Sequence, residues 1–208
     1  MTVLALFVAL LLAATLAIGL VWRYAYFCPS WLSPLLENPY VELVAGSALL
    51  VERAGVGPGM RVLDAGCGPG RITLQAAERC GAAGGVVGLD IQQAMLDKLE
   101  RRIGDRCSGN IRTVHAGLGE GKLPLNEFDV AFLVTVLGEV PDKPAALAEI
   151  YRSLRPGGVL SITEVLPDPH YQPMQRVRRL ALAAGFRQQQ VFTGVLSYTM
   201  NLIKEPTA

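Results

Sequence analysis

The sequence predicts an α/β protein: a doubly wound, mostly parallel sheet of seven strands that ends in an antiparallel hairpin. Three observations predict it. From residue 41 onward, strand-like and helix-like segments take turns, as repeated βα units require. Residues 129–137 (DVAFLVTVL) are apolar almost throughout, the pattern of a central parallel strand covered on both faces. A glycine-rich turn at residues 66–70 separates the first strand of the series from the helix after it, where doubly wound sheets hold ligands.

The elements follow in order. Residues 41–53 read as one helix, broken by Gly55, Gly57, Pro58 and Gly59. Residues 61–65 form a short buried strand, 71–80 a helix, and 84–90 a second apolar strand ending in an acid. In the helix at 92–103, Met95, Leu99 and Ile103 make one apolar stripe. Residues 111–116 are the third strand and 129–137 the fourth. Asp142 caps the next helix, Pro144 suits its first turn, and Leu147, Ile150, Tyr151 and Leu154 share one face. Arg155-Pro156-Gly157-Gly158 ends that helix, and 159–165 is the fifth strand. A last helix at 174–184 stops at Gly185, and two strands flank Gly194. In the second, Leu196, Tyr198, Met200 and Leu202 alternate with Ser197, Thr199, Asn201 and Ile203, the period of a half-buried strand.

The 208 residues suit one domain of ordinary size. Lys and Arg number 19 against 18 Asp and Glu; Arg23 is the sole charged side chain before Glu37, so the remainder is neutral. Nucleic-acid capture needs a clustered basic excess, and no such partner is expected. A hydrophobic share of 51% with 18% charged residues excludes a disordered chain. The apolar excess gathers at the N-terminus. Residues 3–22 (VLALFVALLLAATLAIGLVW) carry no charge, and as a helix they would run about 30 Å, the thickness of a hydrocarbon core. A transmembrane anchor over 1–23 is expected, since the run outlasts a signal-peptide core and no Lys or Arg precedes it. Arg23 just beyond it predicts a domain facing the cytoplasm from the inner membrane. Residues 24–40, with Tyr24, Tyr26, Phe27 and Trp31, read as an interfacial linker at headgroup level or as one packed on the domain, which occupies 41–208. Cys28, Cys67, Cys80 and Cys107 show no metal-ligand spacing, and with two histidines no metal site is expected. The scattered thiols fit a reducing compartment.

The glycine turn carries the chemistry. In residues 62–70 (VLDAGCGPG), Gly66, Gly68 and Gly70 allow a tight turn and let backbone approach a ligand that a Cβ would block. A G-x-G-x-x-G loop would cradle a pyrophosphate; here the spacing is G-x-G-x-G, and Asp64 stands two residues ahead. An acid there is wrong for phosphates and suits an ammonium group and a sulfonium charge. Asp90 ends the second strand, where a carboxylate accepts both hydroxyls of a ribose.

These residues resemble motif I of the class I S-adenosylmethionine-dependent methyltransferases. Gly88-Leu89-Asp90-Ile91, Leu123-Pro124-Leu125 with Phe128-Asp129, and Leu154-Arg155-Pro156-Gly157-Gly158 resemble the later motifs, in the family's order. The likeness covers residues 41–203 and leans toward the quinone-biosynthesis and small-molecule or lipid branch. It implies a Rossmann-like methyltransferase fold with S-adenosylmethionine as cofactor. Gly66, Cys67, Gly68 and Gly70 would back the methionine part and Asp64 hold its ammonium through water. Asp90 would take the ribose and Ile91 pack on adenine, with backbone at Val134 and Thr135 facing the methionine part. Where the family often has Gly-Asp-Ala after strand three, this chain has Gly117-Leu118-Gly119-Glu120. Either Leu118 takes the acid's position or Glu120 substitutes for it.

Methyl transfer asks a protein for alignment, water exclusion and, for weak nucleophiles, proton removal. Glu139, just after strand four where relatives often carry a His, is a candidate base or a partner for a cationic headgroup. His170 follows strand five with Glu164, Asp168 and Tyr171, and is a second candidate base; His115 reads as structural. Arg176, Arg178, Arg179 and Arg187 are the one basic cluster, a solvated face or a contact for anionic lipid. The expected function is a membrane-anchored methyltransferase acting on a hydrophobic acceptor, a phospholipid headgroup or a prenylated quinol. A soluble small-molecule acceptor and a non-catalytic cofactor-binding scaffold are the alternatives.

Overall fold

The computed structural model describes residues 2–24, 27–104 and 109–206. Seven strands form one sheet: β1 Arg61–Ala65, β2 Gly85–Asp90, β3 Ile111–His115, β4 Phe128–Val134, β5 Leu154–Val165, β6 Arg187–Thr193 and β7 Ser197–Ile203. Their order is β3-β2-β1-β4-β5-β7-β6. The first five are parallel, and β7 runs antiparallel between β5 and β6. The expected class and strand number therefore hold, hairpin included. The chain order reverses between β1 and β4, which opens a crevice at the carboxyl ends of those strands.

The helices are α1 Thr2–Tyr24, a 3₁₀ helix Ser30–Glu37, α2 Pro39–Ala45, α3 Ser47–Arg53, α4 Arg71–Cys80, α5 Gln93–Ile103, α6 Lys143–Ser153 and α7 Met174–Ala183. Helices α3, α4, α6 and α7 cover both faces of the sheet. On one face Ala131 and Leu133 of β4 join Ile150 of α6 and Val177 of α7; on the other Val130 and Phe132 join Leu50 of α3 and Ile72 of α4. An all-apolar β4 is what two buried faces demand.

Two boundaries differ from the sequence reading. The single helix expected at 41–53 is two helices. Asn38 caps α2 by accepting the Val41 N–H at 3.0 Å, and the backbone turns extended at Gly46 (ψ 134°), with the Glu42 carboxylate receiving the Ser47 N–H at 3.2 Å. Strand β5 starts at Leu154, earlier than expected, because the Arg155–Gly158 turn is stitched to Lys204 by backbone hydrogen bonds at 2.8 and 2.9 Å.

The N-terminal segment is corrected in one respect. The described side chains of α1 are exposed and apolar, Leu6, Phe7, Leu10, Leu11, Leu12 and Leu16 among them. Yet the expected transmembrane helix is not supported: among the described residues no helix is long and apolar enough to cross a membrane. The α1 side chains are described over 5–17 and at Leu20, a run shorter than the roughly 20 residues a span needs. Tyr26 and Cys107 lie outside the described residues, as does the side chain of Tyr24.

Residues 27–38 are a strap packed on the domain. Cys28 and Leu32 are buried, and polar ties come from α5 and the residue before it. Gln92 Nε2 donates to Cys28 O at 2.8 Å, and Lys98 Nζ donates to Ser33 Oγ at 2.7 Å and to Ser30 O. Arg102 places two guanidinium nitrogens on the Glu37 carboxylate, at 2.5 and 2.6 Å, and reaches Pro69 O at 2.9 Å. Lys98 and Arg102 stand one turn apart on one helix face, which is why a single helix can hold the strap at two points.

Leu99 is fully buried beneath the glycine turn; a Cβ on Gly70 would come within 2.4 Å of it and one on Gly88 within 3.0 Å. Leu99→Ala should cost about 2–5 kcal/mol, read as a lower urea midpoint.

Candidate active site

The turn after β1 is held by its neighbour. The N–H groups of Gly66 and Cys67 both donate to Leu89 O, at 2.7 and 2.9 Å, and the Gly68 N–H donates to Asp90 Oδ2 at 2.9 Å. The other oxygen of Asp90 accepts the Gln92 N–H at 2.8 Å. Burial pushes the Asp90 carboxyl above its ordinary value, and these backbone donors pull it back. Gly66 needs its freedom twice: φ is +77°, and a Cβ would lie 2.4 Å from Val136 Cγ2. Cys67 is buried against Leu96 and Leu99, and burial pushes its thiol well up, so it serves packing.

Two cavities open from this turn. One of about 540 Å³ is lined by Asp90, Ile91, Leu118, Glu120 and Glu139, with Phe27 of the strap. The other, about 310 Å³, is lined by Asp64, Cys67, Arg71, Tyr40 and Asp168. They share a wall of Gly66, Gly68, Val134 and Thr135. Thr135 has a φ of +55°, uncommon for its type, and is held there by its N–H to Thr163 O (2.8 Å) and its hydroxyl to Val134 O (2.7 Å). Gly70 lines neither cavity; it packs on Leu99 with φ at +93°.

The smaller cavity carries opposed charges. Asp64 is buried, and desolvation pushes its carboxyl up to about 6, against the Thr73 hydroxyl that donates to it at 2.5 Å and the nearby Arg71 guanidinium. Arg71 opens α4 and donates to Ala45 O at 2.7 Å, fixing the end of α2. In the larger cavity both positions after β3 are on the wall, Leu118 and Glu120. The carboxylate belongs to Glu120: its Oε1 lies 2.6 Å from where a Gly117 Cβ would be, beside Ile91.

The two candidate bases come from different loops and meet. Glu139 Oε1 accepts the Cys28 N–H at 2.9 Å and lies 3.9 Å from His170 Nδ1. Glu139 faces the larger cavity; His170 lines neither cavity, and its N–H donates to Asp168 Oδ1 at 2.7 Å. Asp168 is the acid on the smaller cavity's wall, pushed up to about 6 by burial. Behind them Glu164, buried, is pushed up to about 8, chiefly by desolvation; one oxygen accepts the Gln172 N–H at 3.1 Å and the other has no partner. His115 bonds Ile91 O at 2.9 Å, in keeping with a structural role. The four arginines do not form one patch: Arg187 pairs with Glu205, and Arg178 with Gln188 at 2.7 Å. Arg71, Tyr40 and Cys28 escaped the sequence reading. Among the described residues no group of three or more His, Cys, Asp and Glu could hold a metal ion.

Residues 62–158 match a family model described as a methyltransferase domain. The likeness is to S-adenosylmethionine-dependent methyltransferases. A nocamycin O-methyltransferase from Saccharothrix syringae is 38% identical over 115 residues, covering 54% of this chain and 40% of that protein. The ubiquinone/menaquinone biosynthesis C-methyltransferase UbiE of Shewanella halifaxensis is 35% identical over 128 residues, covering 61% of this chain and 51% of its own. The chain thus spans about half the length of the curated relatives it matches. Among solved structures, a SAM-dependent methyltransferase from Aquifex aeolicus matches with a TM-score of 0.78 at 22% identity, over 86% of this chain and 99% of that one. The [4+2]-cyclase SpnF matches at 0.69 and 20% identity, over 77% and 80%, a reminder that such likeness shows the fold alone. The residues present fit S-adenosylmethionine, the molecule named for the Aquifex aeolicus structure. Asp90 suits a ribose, the exposed Ile91 side chain a base, and the Asp64–Arg71 pair an amino acid's two charges.

Burial raises Asp64 from 3.8 to about 6, so the folded chain binds this proton more tightly than the unfolded one. Its contribution therefore turns unfavourable as pH climbs through that window. Asp64→Asn should stabilise the cofactor-free chain near neutral pH, by at most about 3 kcal/mol, read by thermal unfolding. Calorimetry should show S-adenosylmethionine affinity falling below pH about 6 in the parent chain, with a weaker, flatter profile in the variant.

Proposed function

We propose that the chain is an S-adenosylmethionine-dependent methyltransferase that acts on a hydrophobic acceptor, a prenylated quinol or a phospholipid headgroup, at the inner membrane and from its cytoplasmic side. The observation that carries the reading is the pair of cavities joined at Gly66, Gly68, Val134 and Thr135, with a ribose-type carboxylate in one and opposed charges in the other. When bound, the cofactor supplies an electrophilic methyl group carried on a sulfonium. Asp90 would take the ribose hydroxyls, Ile91 would pack on the base, and Glu120 would accept from its amino group. Asp64 would hold the ammonium end and Arg71 the carboxylate. Phe27 and Cys28 of the strap exclude water from above the larger cavity.

Glu139 takes the acceptor's proton or holds its cationic group; its position on the cavity wall supports that role. His170 lies 3.9 Å from it. The quinol acceptor is supported by the C-methyltransferases among the relatives, and the membrane by the exposed apolar side chains of α1.

The test gives full-length protein methyl-labelled S-adenosylmethionine and a total membrane extract, then partitions the products. Label in the organic phase is the expected result. Label confined to the aqueous phase would replace the hydrophobic acceptor with a soluble one, and cofactor binding without transfer to any fraction would favour a scaffold. On the acceptor so found, Glu139→Gln should slow turnover by roughly 10²-fold or more and leave cofactor affinity unchanged. An unaltered rate would make Glu139 a structural tie for Cys28. Full-length protein should sediment with membrane vesicles at low salt; a chain that stays in the supernatant would remove the membrane from the reading.

A further inference from the structure

Beyond α1, five of the large apolar side chains that stay exposed belong to one edge, while Trp31, Leu49, Ile91, Leu125 and Leu182 are exposed outside this group. Val195 is 97% exposed and Leu43 83%, and Phe27, Leu166 and Leu196 are each 39% exposed. All five belong to the carboxyl edge of the parallel strands. The Leu166 N–H donates to Leu196 O at 2.7 Å, joining the loop after β5 to the β6–β7 turn. Ser197 Oγ donates to Val44 O at 2.7 Å, joining that turn to α2 one residue from Leu43. Tyr40, also of α2, donates its hydroxyl to Leu166 O. Leu43, Leu166, Val195 and Leu196 therefore form one patch, and Tyr40 and Leu166 are at once its inner border and the wall of the smaller cavity.

The edge from which α7 starts also carries exposed cations. Arg176 and Arg179 are exposed on the first turns of α7, which starts from the same edge. Burial, with Arg176 nearby as a smaller cause, pushes the ammonium of Lys143, at the start of α6, below its ordinary value. Apolar side chains and arginines on one edge are complementary to an anionic lipid surface.

Chain connectivity selects the occupant. Helix α1 ends at Tyr24 and Phe27 already lines the larger cavity. Three peptide steps span at most about 11 Å, so whatever covers the apolar side chains of α1 starts at the mouth of the site. We propose that the carboxyl edge, from Leu43 through Leu166 to the turn at Val195 and Leu196, docks on the surface of an anionic bilayer, so that an amphipathic acceptor enters the cavities from lipid. The inference rests on the membrane part of the proposed function. It adds that the folded domain lies down on the lipid, with its cavity mouths against it.

The test uses the full chain with a single tryptophan reporter remote in sequence from α1: Val195→Trp in a Trp22→Phe, Trp31→Phe background. Vesicles are phosphatidylcholine with brominated acyl chains, with or without phosphatidylglycerol. With phosphatidylglycerol the reporter's emission should move to the blue and be quenched. Arg176→Ala or Arg179→Ala should each weaken vesicle affinity roughly fivefold, and Leu43→Ser with Leu196→Ser should remove the quenching while α1 keeps the chain on the vesicles. Chain that sediments with vesicles while the reporter stays unquenched would overturn the docking and leave the membrane location standing. A blue shift without lipid that grows with protein concentration would also overturn it, in favour of a second copy of the chain. No sedimentation at all would overturn both it and the membrane location. Calorimetry with S-adenosylmethionine on the same preparation reports separately on the cofactor site.

Discussion

One buried carboxylate organises the ligand-binding edge. Asp90 receives the N–H groups of Gly68 and Gln92 on its two oxygens, and so ties the glycine turn to the end of β2. Backbone donors turned inward would otherwise lie buried without partners, at a cost of about 1–3 kcal/mol each. With the turn held, the start of α4 is set on one side and that of α5 on the other. Each helix then sends cations to the N-terminal segment: Arg71 to Ala45, and Lys98 and Arg102 to Ser30, Ser33 and Glu37. The strap over the larger cavity is thus a consequence of the same acid that lines that cavity's wall.

What could be read from the sequence was whatever repeats locally. The all-apolar β4, the Met95–Leu99–Ile103 stripe and the alternation in β7 are periodic signals, and the strands and helices they predict are present. The glycine turn was legible because steric need leaves few substitutes at Gly66. Glu139 and His170 were picked singly from two loops, and only the fold shows them within 3.9 Å. The strap was not legible, because Arg102 and Glu37 meet through tertiary packing across 65 residues of chain. The break at Gly46 was missed for a similar reason: a short polar contact between Glu42 and Ser47 outweighs weak helix propensity.

The acids of this edge share one physical state. Asp64, Asp168 and Glu164 are all held above their ordinary values, mainly because burial disfavours their charge. A cationic ligand relieves that cost by supplying the missing counter-charge. Glu164 differs from the other two, since at about 8 it keeps its proton near neutrality and sits behind the cavities as a hydrogen-bonding group.

The insertion of β7 between β5 and β6 decides which strands are left with an unpaired side. These are β3 and β6. Strand β6 opens with Arg187-Gln188-Gln189-Gln190, and its register with β7 shifts between Gln188 and Gln190. A charged, amide-rich and irregular outer strand is a poor template for another chain's backbone. Strand β3 is only five residues long and carries Arg112 exposed. The sheet is therefore guarded against growing into fibrils at both margins, and crowding or partial unfolding should expose sticky surface first at the helical N-terminus and the hairpin tip.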